Sequence, residues 1–225
     1  MQNRHFDLFS FKSESVVKKR ANSDQDKREK SAMIIKTTLD LYSENRQILT
    51  ATEIAKEAKI GKGTLYSYFK TTEEIYMTAL VDNFGLWHKG IRDFVLDESP
   101  SELELLEFLC RSLTEFTIFV DLISISSNIL EENLDIDYLR KAKLRMKLET
   151  SRTSELLSKV FPGWIKEDTF RNMRRFYIYG VAFWKECFPS ASLQEALPED
   201  YGSNNEQREK FFGELFYLCR MIWRV

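Results

Sequence analysis

Helix-start signals recur along the whole chain and constrain its fold more than any other feature. Thr50 and Thr71 are each followed three residues later by a glutamate, the spacing at which a hydroxyl and a carboxylate together cap a first helical turn. Residues 99–102 read Ser-Pro-Ser-Glu, which combines an N-cap with a proline at the first helical position, and Ser203 begins another Ser-x-x-Glu. Apolar residues recur every three or four positions between these signals, and no alternating strand pattern is found. The sequence therefore predicts an all-α fold.

Scarce glycine and proline support the same conclusion. The 225 residues include eight glycines and four prolines, too few for a sandwich, a propeller or a Gly-rich phosphate loop. We predict that helices dominate from residue 27 onwards. Individual helices are expected over 50–59, a second short segment ending near 69, 71–91, 101–131 with a break near 124–127, 136–160, 167–188 and 203–223.

Composition and hydropathy place the chain among soluble globular proteins. Hydrophobic residues make up 43% and charged residues 30%. The longest uncharged apolar stretches, 122–130 and 176–184, fall well short of the ~18–20 residues that span a bilayer. The N-terminus has no apolar run typical of a secretory signal. We therefore expect a cytoplasmic protein with no membrane partner.

Charge is unevenly distributed behind a net value of −2. Residues 27–72 carry nine Lys/Arg and five Asp/Glu, net +4, whereas residues 73–225 carry nineteen and twenty-six, net −7. Residues 1–26, net +1, show no sustained periodicity and are predicted to form a flexible basic arm. A basic module on an acidic body suggests a nucleic-acid contact at one end.

Residues 50–69 read TATEIAKEAKIGKGTLYSYF and predict a helix-turn-helix. Ile54, Ala58, Ile60 and Leu65 would supply apolar contacts between two short helices that cross steeply, and Ala55 is small at the crossing. The second helix would then present polar side chains that fit the major groove, with free N–H groups near its start for a phosphate. Its exposed side would carry Lys62, Thr64, Tyr66 and Ser67.

This stretch resembles the DNA-binding domain of the TetR (tetracycline repressor) family. The resemblance rests on an Ile-Ala pair, on Gly-Thr-Leu-Tyr at 63–66, on Tyr-Phe at 68–69 and on the Lys-Thr-Thr-Glu-Glu-Ile helix start at 70–75. It covers roughly residues 27–85. It implies a three-helix helix-turn-helix DNA-binding domain over 27–85 and a larger helical effector-binding and dimerisation domain over 86–225.

The resemblance also implies which residues contact double-stranded DNA. Tyr66 lies where the family places a tyrosine on phosphate, and Tyr68 matches a neighbouring aromatic residue. Thr50 would cap the supporting helix and touch phosphate. The predicted DNA-binding set is Thr50, Lys62, Gly63, Thr64, Tyr66, Ser67, Tyr68 and Lys70.

Three positions depart from the family pattern. Lys59 replaces the usual Gly or Ala in the turn; if φ is positive there, lysine costs about 1 kcal/mol. Gly61 replaces a Ser/Thr N-cap and so lacks a side-chain acceptor. Thr72 replaces a lysine that commonly binds phosphate, and Lys70 would partly compensate.

The final helix predicts a homodimer. Its apolar residues span an arc of roughly 160°, wider than one core contact needs, so one edge would face the chain's own core and one a partner. A buried monomeric helix is the alternative. In the family, the last two long helices of each subunit form a four-helix interface, which implies a pseudo-palindromic DNA operator. The predicted interface residues are Gly180, Phe211, Phe212, Leu215, Phe216, Cys219 and Ile222.

The aromatic body suggests a pocket for a small effector. Each large side chain also fits an ordinary core, and it is the family resemblance that implies a cavity. A ligand that favours the DNA-incompetent state would release the operator, so we expect a repressor with a lipophilic effector. The predicted lining is Trp87, Phe116, Phe119, Ile123, Met146, Phe176, Tyr177, Phe183 and Trp184.

Catalytic and metal-binding constellations are not found in the sequence. The two histidines, His5 and His88, join no nucleophile or metal motif, and the acidic cluster near Glu131 lacks calcium-loop spacing. The three cysteines fit reduced core thiols better than a redox sensor. We expect no enzyme, cofactor or metal. The alternatives left open are an effector-independent architectural or cell-cycle factor and an interaction module or helical enzyme with a vestigial helix-turn-helix.

Overall fold

The structure is a computed structural model that describes residues 21–45, 47–161, 163–189, 196 and 204–225. Within those ranges the chain is α-helical and contains no β-strand, which confirms the predicted fold class. A π turn (Ser126–Leu130) and a 3-10 turn (Glu131–Asn133) separate the sixth and seventh helices. The helices are α1 (Ala21–Asn45), α2 (Ala51–Glu57), α3 (Lys62–Tyr68), α4 (Thr72–Glu98), α5 (Glu102–Glu115), α6 (Thr117–Ile125), α7 (Ile136–Val160), α8 (Lys166–Cys187) and α9 (Asn204–Trp223).

The first helix begins earlier than the sequence pattern indicated. Residues 21–26, predicted as the end of a flexible arm, form the first turns of α1, where the Gln25 amide donates to the Glu29 carboxylate at 3.1 Å. Side chains four residues apart meet on a helix, and such pairs favour helical backbone. The rest of the predicted arm, residues 1–20, and the predicted cap at Ser203 lie outside the described residues.

Helix starts follow the predicted capping chemistry with two corrections. Thr50 and Glu53 form a complete capping box at the start of α2. The Thr71 hydroxyl caps α4 as predicted. The predicted capping box is incomplete, because the Glu74 carboxylate accepts from the Lys70 amide at 2.7 Å instead of the Thr71 amide. The predicted start at residue 99 is wrong, because Ser99 ends α4 in the left-handed conformation, and Ser101 caps α5 instead.

The predicted long helix over 101–131 is broken in a place that the sequence did not indicate. Phe116 has φ −84° and ψ 54°, outside the helical region, so α5 ends before it and α6 starts after it. The expected irregularity near 124–127 is present as the π turn. π turns are rare insertions that often border functional sites.

Two apolar clusters organise the helices, and α4 contributes to both. The small cluster lies among α1–α4 and contains Ile34, Leu49, Ile54, Ala55, Leu65, Phe69 and Ile75. The large cluster fills the space between α4 and the later helices and includes Phe84, Trp87, Phe119, Phe176 and Trp184. Burial of these side chains contributes roughly 1.5–3 kcal/mol each. Because α4 extends from one cluster into the other, it physically connects the N-terminal helices to the body.

The last two described helices run antiparallel in the body. Lys210 Nζ of α9 lies 3.2 Å from Glu186 Oε1 near the end of α8. At the opposite ends, the Asn172 amide donates to the Ile222 carbonyl at 3.4 Å. In the described part of the chain, no helix is long and apolar enough to cross a bilayer.

Candidate DNA-binding surface and ligand cavity

The connection between α2 and α3 is a tight turn with a strained residue at its centre. Lys59 has φ +53°, the left-handed conformation in which the backbone of a lysine is strained. The Ile60 amide donates to the Ala55 carbonyl at 3.0 Å, and the Lys59 amide donates to the Lys56 carbonyl at 3.2 Å. These bonds close the end of α2 and fix the angle at which α3 leaves it.

Helix α3 buries Leu65 and part of Tyr68 and leaves the rest of its surface in solvent. Leu65 is 1% exposed and packs in the small cluster. Lys62, Gly63, Thr64, Tyr66 and Ser67 are all exposed, and Tyr66 has 52% of its surface accessible. A short helix anchored on one side therefore presents a continuous polar surface with a prominent aromatic ring.

Hydrogen bonds distinguish the free polar groups of this surface from the engaged ones. The Ser67 hydroxyl donates to the Thr64 carbonyl at 2.7 Å. In the described part of the chain, no carboxylate lies within 4 Å of the side-chain nitrogen of Lys62 or Lys70. Their charges are therefore available to an external anion. Tyr68 is half-buried against the small cluster, so its ring contributes to packing as well as to the surface.

Capping and local contacts occupy Thr50 and Thr72. The Thr50 amide and hydroxyl both donate to Glu53 Oε2 at 2.7 Å, and these bonds lower the pKa of Glu53. The Thr72 hydroxyl lies 3.2 Å from Glu73 Oε2. Thr50 is exposed, but its hydroxyl already serves the helix start.

The first turns of α4 make polar contacts with two other parts of the chain, the segment before α2 and the start of α7. The Tyr76 hydroxyl accepts from the Leu49 amide at 3.0 Å, just before α2, and burial raises the pKa of Tyr76 to about 12. Tyr138 of α7 donates to the Glu74 carbonyl at 3.1 Å and lies 2.6 Å from the Thr78 hydroxyl. The start of α7 thus contacts the first turns of α4.

A cavity of about 690 Å³ opens in the body between α7, α8 and the irregular segment after α6. This volume lies within the range of about 300–1,000 Å³ typical of small-molecule sites. Apolar side chains form much of the wall, and four charged groups lie among them. The lining residues are Ile123, Ser126, Glu131, Lys143, Met146, Lys147, Thr150, Phe170, Arg174, Tyr177, Ile178 and Val181.

The charged groups on the cavity wall are predominantly cationic. Lys143 pairs with Glu131 at 2.5 Å. Lys147 and Arg174 have no carboxylate partner within 4 Å among the described residues. Burial raises the pKa of Tyr177, and the neighbouring Arg174 partly offsets that rise. The wall therefore carries two cations that no anion of the described chain neutralises.

The structure brings only some of the predicted pocket residues to this cavity. Ile123, Met146 and Tyr177 line it. Trp87, Phe119, Phe176 and Trp184 are at most 2% exposed and are not on its wall, because they pack in the large cluster. Trp87 and Phe176 stack at a centroid distance of 6.0 Å, and the Trp184 indole donates to Asp121 Oδ1 at 2.5 Å. Phe116 and Phe183 are half-buried against the same cluster and also lie off the wall.

A buried polar network lies directly behind the cavity. Thr150, on the wall, is 3.3 Å from His88 Nε2 of α4, and Thr153 is 2.9 Å from His88 Nδ1. Arg92 of α4 donates to the Thr153 hydroxyl at 3.0 Å and pairs with Glu149 at 3.0 Å. His88 is 0% exposed, and burial together with the Arg92 charge lowers its pKa to about 3. The neutral imidazole thus connects the cavity wall to α4.

Four of the seven predicted interface residues are buried within the single chain. Phe211, Leu215 and Cys219 are 0% exposed within the single chain, because this edge of α9 packs on the chain's own core. Gly180 is also buried: a Cβ there would lie 2.9 Å from Leu113 Cδ1, so its small size serves a contact inside the subunit. Phe212, Phe216 and Ile222 are half-buried.

A different face of α8 and α9 remains exposed. Tyr179 is 42% exposed, Tyr217 64% and Met221 61%. At 100° per residue, these side chains and Ala182 lie on the outer side of the antiparallel pair, and nothing lies within 4 Å of the Cβ position of Gly213. The sequence analysis placed the interface on the apolar arc that contains Phe211 and Phe216, and it therefore did not include Tyr179 or Tyr217.

The charged cavity residues were also missed, although a weak signal was present. Lys143, Met146, Lys147 and Thr150 follow the i, i+3, i+4, i+7 spacing that places them on one face of α7. Basic residues on a helix indicate a solvated surface in most proteins. Lys143 and Lys147 are indeed exposed, and the packing of α8 beside α7 makes the same face one wall of the cavity. Within the described residues, no cluster of His, Cys, Asp and Glu side chains is arranged to hold a metal ion.

Comparison with protein families identifies both parts of the chain. Residues 47–77 match the model of bacterial regulatory proteins of the tetR family. Residues 83–208 match the tetracyclin repressor-like C-terminal domain, which covers more than half of the chain. The first match contains α2, α3 and the start of α4, and the second contains every residue that lines the cavity.

Individual proteins of known sequence or structure resemble the chain over most of its length. The uncharacterised HTH-type transcriptional regulator YhgD of Bacillus subtilis is 26% identical over 145 residues, which cover 60% of this chain and 73% of YhgD. A crystal structure described as a TetR-family transcriptional regulator from Mesorhizobium loti aligns with a TM-score of 0.53 at 14% identity, over 87% of this chain and 97% of that one. FadR from Bacillus subtilis, in complex with stearoyl-CoA, aligns with a TM-score of 0.50 at 15% identity, over 80% and 97%. At these identities the two structures support the fold alone.

Proposed function

The chain belongs to the TetR family of transcriptional regulators, and from that premise we propose that it is a dimeric repressor released from a pseudo-palindromic operator by a small effector. The observation that carries the proposal is the combination of an exposed recognition helix and a cavity joined by one helix, α4. Two copies related by a twofold axis would place their α3 helices in successive major grooves.

The surface of α3 supports direct DNA binding. Lys62 and Lys70 offer cations without a carboxylate partner in the described chain, and Tyr66 projects a half-exposed phenol between them in sequence. Thr64 adds a hydroxyl on the same helix. Lysine and tyrosine side chains of this kind contact phosphates, whereas hydroxyls reach base edges as well. We assign Lys62, Tyr66 and Lys70 to the backbone and Thr64 to the groove.

The exposed face of α8 and α9 is our proposed dimer interface. Tyr179, Ala182, Tyr217 and Met221 form an apolar surface, and Gly213 permits a close approach of two backbones. Aromatic residues and methionine are enriched in protein interfaces. Glutamate at Tyr217 would place a charge in this interface, so the Tyr217→Glu variant should be a monomer in size-exclusion chromatography with light scattering. A dimer of unchanged stability would refute this assignment.

The cavity supports an effector-responsive regulator over an effector-independent factor. A closely packed body without a cavity would favour the effector-independent factor. The structure instead has a cavity of about 690 Å³ beside α7. A structural neighbour, FadR from Bacillus subtilis, is described in complex with stearoyl-CoA, so the fold accommodates a ligand with a long apolar chain.

A physical route for coupling runs from the cavity through α7 to α4. Thr150 lies on the wall and contacts His88 of α4, and Tyr138 at the other end of α7 contacts Glu74 and Thr78 at the start of α4. A ligand that displaces α7 would therefore move α4 at two points. Because α4 is bonded to the helix-turn-helix, the separation of the two recognition helices would change.

Fluorescence anisotropy across a salt series tests the DNA-binding part of this proposal. We expect the wild-type protein to bind DNA from upstream of its own gene more tightly than scrambled DNA, with two subunits per site. Lys62→Ala should reduce the salt slope by about one per lysine removed, thus about two per dimer. Tyr66→Phe should weaken binding by about 1 kcal/mol per subunit, the contribution of one hydrogen bond.

A matched control variant separates a DNA contact from a general loss of stability. Lys141→Ala removes the same ammonium group as Lys62→Ala from an exposed position of α7, away from α3 and from the proposed dimer interface, and should leave DNA affinity unchanged. All three variants should unfold at the wild-type temperature. Unchanged affinity in both Lys62→Ala and Tyr66→Phe would refute the docking of α3.

A further inference from the structure

The wall of the cavity combines an apolar floor with an unneutralised cationic pair. Ile123, Met146, Phe170 and Val181 supply apolar surface from three helices. Between Phe170 and Val181 the wall follows α8 for about 16 Å, at 1.5 Å of rise per residue. A site of this shape suits an elongated apolar body rather than a compact polar molecule.

The position of the charges specifies one end of that ligand. Lys147 and Arg174 lie on facing helices, α7 and α8, and neither has a carboxylate within 4 Å in the described ranges. Lys143 is already paired with Glu131, the one acidic residue on the wall. Both side chains are exposed to solvent, and Arg174 hydrogen-bonds Tyr177, so the wall carries two hydrated positive charges without a carboxylate partner. An anionic group bound there would gain charge-assisted hydrogen bonds from both helices.

We infer that the effector of this cavity is an anionic amphiphile, with an apolar chain or ring system along α8 and a carboxylate or phosphate group between Lys147 and Arg174. This inference rests on the proposed role of the cavity as the sensing site. Such a ligand draws α7 and α8 together through its head group. It therefore acts on α7, the helix that contacts α4 through Thr150 and Tyr138.

Isothermal titration calorimetry with four probes of equal chain length tests the head-group assignment on the full chain. The probes are decanoate, decyl phosphate, 1-decanol and decylamine, at pH 7 and below their micellar concentrations. At least one anion should bind tenfold or more tightly than decanol, and decylamine should bind most weakly. The tighter of the two anions identifies the head group as carboxylate or phosphate.

A pair of double variants separates the proposed contacts from a general effect of charge. Lys147→Gln with Arg174→Gln should lose tenfold or more in affinity for the anion and keep the affinity for decanol. Lys141→Gln with Lys185→Gln removes the same charge from exposed positions on the same two helices, off the wall, and should bind like the wild type.

Three results would overturn the inference: decanol binding as tightly as both anions, no measurable binding of either anion, or unchanged anion affinity in the Lys147/Arg174 variant. DNA affinity without ligand is measured separately on the same preparations. If DNA binding is retained while the anions fail, only the ligand inference is wrong. If the wild type binds no DNA while the anions bind, the proposed function is wrong and the ligand site stands.

Discussion

Buried His88 makes the stability of the body depend on pH in a range where few other groups titrate. The side chain is fully buried between α4 and α7, and its pKa is lowered from 6.5 to about 3 by burial and by the charge of Arg92. One tautomer of the neutral ring satisfies both ring nitrogens. In it, Nε2–H donates to Thr150, Nδ1 accepts from Thr153, and Arg92 donates to Thr153. Protonation would place a second positive charge beside Arg92.

The sign of the effect follows from the direction of the pKa shift. Because the folded protein binds a proton on His88 less readily than the unfolded chain, lowering the pH through 6.5 stabilises the unfolded state. The folded state therefore keeps its full stability above pH 6.5 and loses it progressively towards pH 3. At about 1.4 kcal/mol per unit of pKa difference, the unfolding free energy should fall by about 2 kcal/mol between pH 7 and pH 5.

Urea unfolding at fixed protein concentration, followed by circular dichroism at pH 5, 6 and 7, measures this loss. In His88→Gln the amide retains a donor and an acceptor for the two threonines but does not titrate, so the slope between pH 7 and pH 5 should become nearly flat. His5→Gln removes the other histidine and should retain the wild-type slope. The acidic groups with lowered pKa, such as Glu155 at about 2, titrate below this window.

Two results would refute the reasoning about His88. One is an equal pH slope in the wild type and His88→Gln. The other comes from nuclear magnetic resonance of labelled histidine, independent of whether the variant folds well: the His88 ring should remain neutral at pH 5. A titration midpoint near 6.5 would show that the ring is not held in the neutral form.

Three further substitutions test the fold at individual residues by urea denaturation. Lys59→Gly should stabilise the protein by about 1 kcal/mol, because glycine adopts φ +53° without strain; a loss of stability would contradict the strain assigned to that turn. Trp184→Phe should destabilise by about 1–3 kcal/mol, because buried Asp121 loses the indole donor, and a neutral result would remove that role. Ile54→Ala should destabilise by about 2–5 kcal/mol through a cavity in the small cluster, with DNA binding lost in parallel; retention of both would refute the anchoring of α2.

The helix-turn-helix could be predicted from the sequence because its determinants are local. The capping box at Thr50, the buried Leu65 and the exposed side of α3 depend on residues within one or two turns of each other. The cost of a positive φ at Lys59 was expected only on a condition, because the TetR-family pattern has Gly or Ala at this turn position, and the structure meets that condition. Spacing and capping chemistry determine such features before any long-range contact forms.

The cavity could not be predicted in the same way because it depends on how distant helices cross. Aromatic content indicated where apolar volume lies, but Trp87 and Trp184 fill the core, whereas the space lies beside Met146 and Tyr177. Lys147 and Arg174 are exposed, as the sequence indicates, but only the packing of α7 against α8 places both on the wall of one cavity. The break at Phe116, which has no glycine or proline signal, separates α5 from α6, and α6 contributes Ile123 to the wall.

The outward face of α8 and α9 shows a similar limit of periodicity. The apolar arc of α9 was wide enough to predict two contacts, but it did not indicate which edge faces inward. The structure assigns Phe211, Leu215 and Cys219 to the core and leaves Tyr217 and Met221 exposed. Packing against α5 and α8, rather than the sequence of α9 alone, decides that choice.

Selection of bound fragments from a random DNA library tests the central claim most directly. If two copies present α3 to successive major grooves, the wild-type protein should enrich a pseudo-palindromic motif whose half-sites are about one helical turn apart. The Lys62→Ala/Tyr66→Phe double variant loses backbone contacts and should bind that motif more weakly while remaining folded. Equal affinity of this variant and the wild type for the motif, or enrichment by the wild type of a single half-site without symmetry, would contradict the account.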